Sequence, residues 1–254
     1  MGVGVPAVGG GLGVVGLLVV LLFNVLGGGG GSGIDIPALG PVDTGSGQTG
    51  GTIPANDDAA QFAAFVIHDV QSSWDQVFAD SNEQYRETKL VLYTSATATG
   101  CGTGQSGMGP FYCPTDEKVY IDLDFYNELA TRFGAPGDFA QAYVIAHEVG
   151  HHVQKLLGIS DRVKTREDGI KLELQADCFA GVWGHAAQAE GILESGDVQE
   201  GLTAAAAVGD DRLQKEATGR INPDTFTHGT SAQRTQWFTT GFESGDPNTC
   251  DTFS

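Results

Sequence analysis

The sequence predicts an α+β domain, mainly helical with a small antiparallel sheet, preceded by one transmembrane helix. Three observations carry this expectation. After Asp57, apolar residues recur at three- and four-residue spacing in several long segments, which is the period of amphipathic helices. Two short segments, Lys89–Thr94 and Lys118–Asp124, have the length and apolar pattern of strands. Residues 1–33 carry no charged side chain and contain the apolar run Leu12–Leu26.

At about 1.5 Å per residue, that fifteen-residue run falls short of a hydrocarbon core of about 30 Å. Extended back to Val3 it is long enough, so residues 1–26 are expected to anchor the chain, meeting the membrane through residues 3–26. An uncleaved signal-like segment is the second reading, since a glycine run and not a small-x-small cleavage site follows Leu26. Residues 27–56, rich in Gly and Ser, read as a flexible linker. Residues 57–254 form the domain, long enough to bury a sizeable core.

Within the domain, Phe62, Phe65, Val66, Val70, Trp74, Val77 and Phe78 trace one face of a strong helix. Lys89–Thr94 is a short strand, and residues 95–116, rich in Gly, Thr and Ser, read as a long loop. Val119, Ile121 and Leu123 alternate with Tyr120, Asp122 and Asp124, which predicts a half-buried strand over Lys118–Asp124. As a sheet edge it could receive an extended peptide. A short helix over Phe125–Phe133 follows. The next helix has Asp138 as N-cap and Gly158 as its stop. Further helices are expected from about Gly169 to Glu190, from Asp197 to Thr218, and over Ser231–Thr240, with Asn222–His228 as a loop.

The formal net charge is −19, from 32 acidic and 13 basic residues. Such a surface repels phosphate backbones, which argues against nucleic acid as a partner. The four cysteines form no C-x-x-C pair, which argues against a zinc ribbon or a redox dithiol. Four cysteines allow three disulfide connectivities. The expected one joins Cys101 to Cys113, closing the Gly-rich loop, and Cys178 to Cys250, tying the C-terminal tail to a helix. The first basic residue is Arg86, so charge bias does not set the membrane orientation. The disulfides favour a single-pass protein of the cell membrane with its domain outside the cytoplasm.

The chemistry centres on His147-Glu148-Val-Gly-His151. Residues four apart lie one helical turn on, so the two imidazoles can converge on one ion while Glu148 leans toward its open position. A catalytic zinc takes three protein ligands. Glu173-Leu-Gln-Ala-Asp177 places two more carboxylates on one helical face in an apolar stretch. Glu173 is expected as the third ligand, and Asp177 as acceptor for the non-ligating nitrogen of a metal-bound histidine. Glu148 is the candidate general base for a metal-activated water. Gly150 would let the two helices approach closely. His152 points about 100° away from His151 and reads as structural. His228 and Arg234 are catalytic candidates for stabilising an oxyanion, with Tyr120 and Tyr143 as weaker ones.

His147-Glu-Val-Gly-His-His-Val-Gln154, Glu173-Leu-Gln-Ala-Asp-Cys-Phe-Ala-Gly-Val-Trp183 and His228-Gly-Thr-Ser-Ala-Gln-Arg234 resemble the three signature blocks of the bacterial neutral zinc metallopeptidases. Those are short proteins with one N-terminal transmembrane segment. Gly109-Pro-Phe-Tyr-Cys-Pro114 and Val119-Tyr-Ile-Asp-Leu123 match the pattern too, and the resemblance runs from about Asp57 to Phe253. It implies a gluzincin-like zincin fold, Zn2+ held by His147, His151 and Glu173, and Glu148 as catalyst. It gives no substrate, and the family's usual charged N-terminal stretch is missing here. The expected activity is that of a membrane-anchored, zinc-dependent peptidase acting on a peptide or protein. The alternative is a membrane-tethered zinc-binding module or inactive scaffold. A zinc hydrolase of non-peptide amides, for instance in the cell wall, is a third reading, which the expected edge strand disfavours.

Overall fold

The computed structural model describes residues 42–44, 57–105 and 108–254. The elements are β1 (Val42–Thr44), α1 (Asp58–Asp80), β2 (Lys89–Tyr93), β3 (Ala96–Thr99), β4 (Gly102–Gln105), β5 (Phe111–Cys113), β6 (Lys118–Asp122), α2 (Leu123–Thr131), α3 (Asp138–Leu156), α4 (Arg166–Ala189), α5 (Asp197–Ala207), α6 (Asp210–Thr218) and α7 (Ser231–Ser244). The fold is α+β and mainly helical, as expected. The expected anchor over residues 1–26 lies outside the described residues, as does most of the linker. Among the described residues no helix is long and apolar enough to cross a membrane.

The helix bearing the two histidines, α3, is buried along nearly its whole length. It packs against α1, α2, α4 and α5 and against the sheet strands β5 and β6. Helix α1 begins at Asp57, whose side chain accepts from the Ala60 amide, and buries Val66, Val70, Trp74 and Phe78 of the predicted stripe. Helix α4 opens with a reciprocal capping box between Thr165 and Asp168. Helix α7 does the same with Thr230 and Gln233. At the α4–α7 crossing Gly181 faces the backbone of Phe238, and Gly241 faces that of Cys178. A Cβ at either position would overlap the opposing main chain, so two glycines set how near α7, and with it Arg234, comes to α4.

The sheet differs from the expected antiparallel one. Its order is β1-β2-β6-β5, with β1 parallel to β2, β2 parallel to β6, and only β5 antiparallel to its neighbour. Parallel strands need a long crossover. Helix α1 supplies it between β1 and β2, and residues 94–117 supply it between β2 and β6. That second stretch is not the plain loop expected. It contains the antiparallel hairpin β3–β4 and strand β5. Alternating Ala96-Thr-Ala-Thr99 and Gly-rich β4 are half exposed, so they lack the apolar signal by which a strand is recognised.

Strand β6 is also neither half-buried nor an edge. Val119 and Ile121 enter the main core beside the helices. Tyr120 packs on the other face with Val91, Tyr93 and Cys113. Two covered faces and two strand neighbours make β6 internal, and the terminal strand on that side is β5. The predicted helix Asp197–Thr218 is two helices, α5 and α6, broken at Val208-Gly209. A side chain at Gly209 would collide with the backbone of Ser231, so the break lies at a position that only glycine can fill. Gly137, not Asp138, caps α3, and Asp138 lies in its first turn. Val42–Thr44, inside the expected linker, pairs with Leu90–Leu92.

Both expected disulfides are present. Cys101–Cys113 joins the β3–β4 turn to the end of β5, and Cys178–Cys250 joins α4 to the C-terminal tail.

Candidate metal centre and active site

Helices α3 and α4 cross so that three donors meet. His147 Nε2 lies 3.3 Å from one Glu173 oxygen, and His151 Nε2 lies 3.4 Å from the other. All three ligand atoms fall within 4.8 Å of one another. Bonds of about 2.0–2.1 Å to a tetrahedral ion imply donor–donor edges of roughly 3.3–3.4 Å, so the donor set fits a zinc-sized cation. The close approach follows from Gly150 of α3, which faces the Ala176 backbone of α4 at 3.2 Å from where a Cβ would stand.

Each imidazole is turned by a partner on its other nitrogen. His147 Nδ1–H donates to Asp177 at 2.9 Å. His151 Nδ1–H donates to Gln154 Oε1 at 2.9 Å. A carboxylate can only accept, so His147 carries its proton on Nδ1 and leaves the Nε2 lone pair facing Glu173.

Asp177 has no exposed surface and four hydrogen bonds. Besides His147 it accepts from Tyr143 Oη and from Arg234, whose Nε and Nη2 reach its two oxygens at 2.8 and 2.9 Å. Burial alone would raise its pKa; the Arg234 guanidinium and His147 bring it below the usual value. Arg234 is itself buried, with a further bond to the Val208 carbonyl at 3.3 Å. Its guanidinium is therefore spent on Asp177. Tyr143 is likewise bonded to Asp177, and Tyr120 to Asp116 at 2.7 Å.

A cleft of about 500 Å³ opens over the donors. His147, Glu148, His151, Glu173, His228 and Arg234 all line it, as do Phe111 and Tyr112 of β5 and the apolar side chains Phe125, Phe133, Val144 and Leu213. Glu148 lies outside the three-donor group and on the cleft wall. His228 sits half-exposed, with Nδ1 3.3 Å from Asp210 Oδ1, and that hydrogen bond raises its pKa above the ordinary histidine value. Asp210 also accepts from the backbone amides of Thr227, His228 and Gly229. His152 faces away, as expected: Nε2 donates to the Arg86 carbonyl at 2.6 Å, and Nδ1 accepts from Tyr112 Oη at 3.0 Å. Burial lowers its pKa and keeps it neutral, a link between α3 and strand β5.

Two further residues support the site. Gln154 is three residues after His151 on the same helix, a spacing that marks it as a neighbour of that ring. Asp210 had no such signal, since it meets His228 across 18 residues and a change of helix.

The chain belongs to the family described as putative neutral zinc metallopeptidases, whose model matches residues 1–253. It is 54% identical over 210 residues to the uncharacterized protein YpfJ of Escherichia coli K12, covering 79% of this chain and 73% of that one. It is 46% identical over 213 residues to the uncharacterized protein Rv2575 of Mycobacterium tuberculosis H37Rv, covering 78% and 73%. The uncharacterized protein Mb2605 of Mycobacterium bovis is similar to the same extent. No solved structure matches the chain.

Proposed function

We propose that this protein is a membrane-anchored, zinc-dependent peptidase that hydrolyses peptide bonds in peptides or proteins. The observation that carries the proposal is the convergence of three donors beneath a cleft whose wall holds a fourth, separate carboxylate, Glu148. A closed structural zinc site has no use for such a group and is usually completed by another Cys or His.

His147, His151 and Glu173 would hold the ion. When bound, zinc supplies Lewis acidity, polarising a carbonyl and bringing the pKa of a water toward about 7. Glu148 takes the proton of the attacking water and delivers it to the leaving amine. His228, kept cationic to higher pH by Asp210, donates to the oxygen that becomes negative in the tetrahedral state. Arg234 contributes at one remove, by neutralising Asp177 so that Asp177 can hold His147 in its Nδ1–H form. Strand β5 ends the sheet and has no strand partner on its outer side among the described residues. Its main chain can pair with an extended substrate across the cleft, the part first expected of β6. Residues 1–26 would anchor the chain, and two disulfides support a domain on the oxidising side of the membrane.

Glu148→Gln tests the assignment. The variant should keep the fold and one equivalent of zinc and lose hydrolysis. Undiminished cleavage by this variant would mean that another group serves as base.

A further inference from the structure

Two backbone carbonyls, one of them remote, fix the tautomer of His151. A carbonyl can only accept, so the Gln175 atom that meets the Cys250 carbonyl at 2.9 Å is the amide nitrogen. Gln175 Oε1 then faces Gln154, whose Nε2 donates to it at 3.1 Å and to the Leu172 carbonyl at 2.7 Å. Gln154 Oε1 is left for His151, which must present its proton on Nδ1. Neutral imidazole protonated there keeps its lone pair on Nε2, the atom that faces Glu173.

Both glutamines are buried, and every polar atom of their side chains in this chain of bonds has a partner. The far end is tied down twice. Cys250 is bonded to Cys178, the neighbour of Asp177 in sequence, and Thr252 Oγ1 donates to the Lys171 carbonyl at 2.7 Å. The tail thus stands behind the histidine-orienting groups on α4.

We infer that Gln154 and Gln175 are positioning residues: anchored on the C-terminal tail through Cys178–Cys250, they hold His151 in its metal-binding tautomer and set how tightly the ion is kept. The inference rests on the reading of His147, His151 and Glu173 as zinc ligands. Orienting partners of this kind typically change metal affinity by about 10–100-fold.

The experiment measures the zinc dissociation constant of the full chain by competition with a chromophoric chelator, at a temperature where circular dichroism shows each variant folded. Gln154→Met, similar in shape but without an acceptor, should bind zinc about 10–100-fold more weakly. Gln175→Met should weaken binding in the same direction by less. Gln71→Met serves as the control: Gln71 is equally buried and accepts from the Thr88 amide at 2.6 Å, away from the site. It should lower the melting temperature and leave zinc affinity and the visible bands of the cobalt-substituted site unchanged, whereas Gln154→Met should shift those bands. Wild-type affinity and spectrum in Gln154→Met overturn the inference, as does equal loosening in Gln71→Met. If Gln154→Met does not fold, Gln175→Met and the double variant Cys178→Ser/Cys250→Ser decide, and undiminished zinc affinity in both overturns it. Failure of the ligand assignment looks different: the wild type itself would bind no zinc, or Glu173→Ala would bind it as well as the wild type.

Discussion

Replacing Arg234 with Met removes the countercharge of a fully buried carboxylate. Arg234 makes two short bonds to Asp177, at 2.8 and 2.9 Å, and both side chains are buried. Breaking a buried ion pair from one side costs about 3–5 kcal/mol, because the remaining charge has lost its partner. Tyr143 and His147 still donate to Asp177, which places the expected cost at the lower end, about 3 kcal/mol. In a domain of this size each kcal/mol lowers the melting temperature by roughly 2–4 °C, so a fall of about 6–12 °C is expected. The assay is thermal and urea unfolding of metal-free protein, since a bound ion would stabilise the native state and mask the loss. The double variant Asp177→Asn/Arg234→Met, which removes both charges, should be more stable than Arg234→Met alone. A loss below about 1 kcal/mol in Arg234→Met, or no recovery in the double variant, would refute the view of Arg234 as the counterion of Asp177.

Two further outcomes are expected. Glu173→Ala should reduce zinc content below one equivalent by elemental analysis of dialysed protein, and stoichiometric zinc would mean that another residue is the third ligand. The hydrogen bond that His228 donates to Asp210 raises the His228 pKa, so its cationic form is present below the ordinary histidine value and is lost as pH rises through the raised one. Asp210→Asn should therefore move the alkaline limb of the rate–pH profile toward lower pH, and an unmoved limb would remove His228 from the account.

What could be read from the sequence was what helical periodicity places together. His147, Glu148 and His151 share a turn, and Glu173 and Asp177 share the next helix, so both halves of the donor set showed in spacing alone. Arg234 was visible as a conspicuous residue, but its engagement with Asp177 depends on the Gly181–Gly241 crossing of α4 and α7, a tertiary contact without a local signal. The His228–Asp210 pair was hidden for a related reason: the helix expected across Asp197–Thr218 obscured the break at Gly209 that carries Asp210 toward the site. The sheet was the least legible part. Strand β5 is three residues long, and whether β6 lies at the edge or inside depends on the path of residues 94–117 and not on the alternation within β6.

On the proposed mechanism, zinc and Glu148 together hydrolyse peptide bonds at this cleft. The most direct test of that mechanism is cleavage of an unbiased peptide library by the zinc-loaded wild type and by zinc-loaded Glu148→Gln, side by side. The wild type should give discrete cleavage products, abolished by chelation, restored by zinc, and absent from the variant. A wild type that holds one equivalent of zinc and cuts nothing, or a variant that cuts the same bonds, would contradict it.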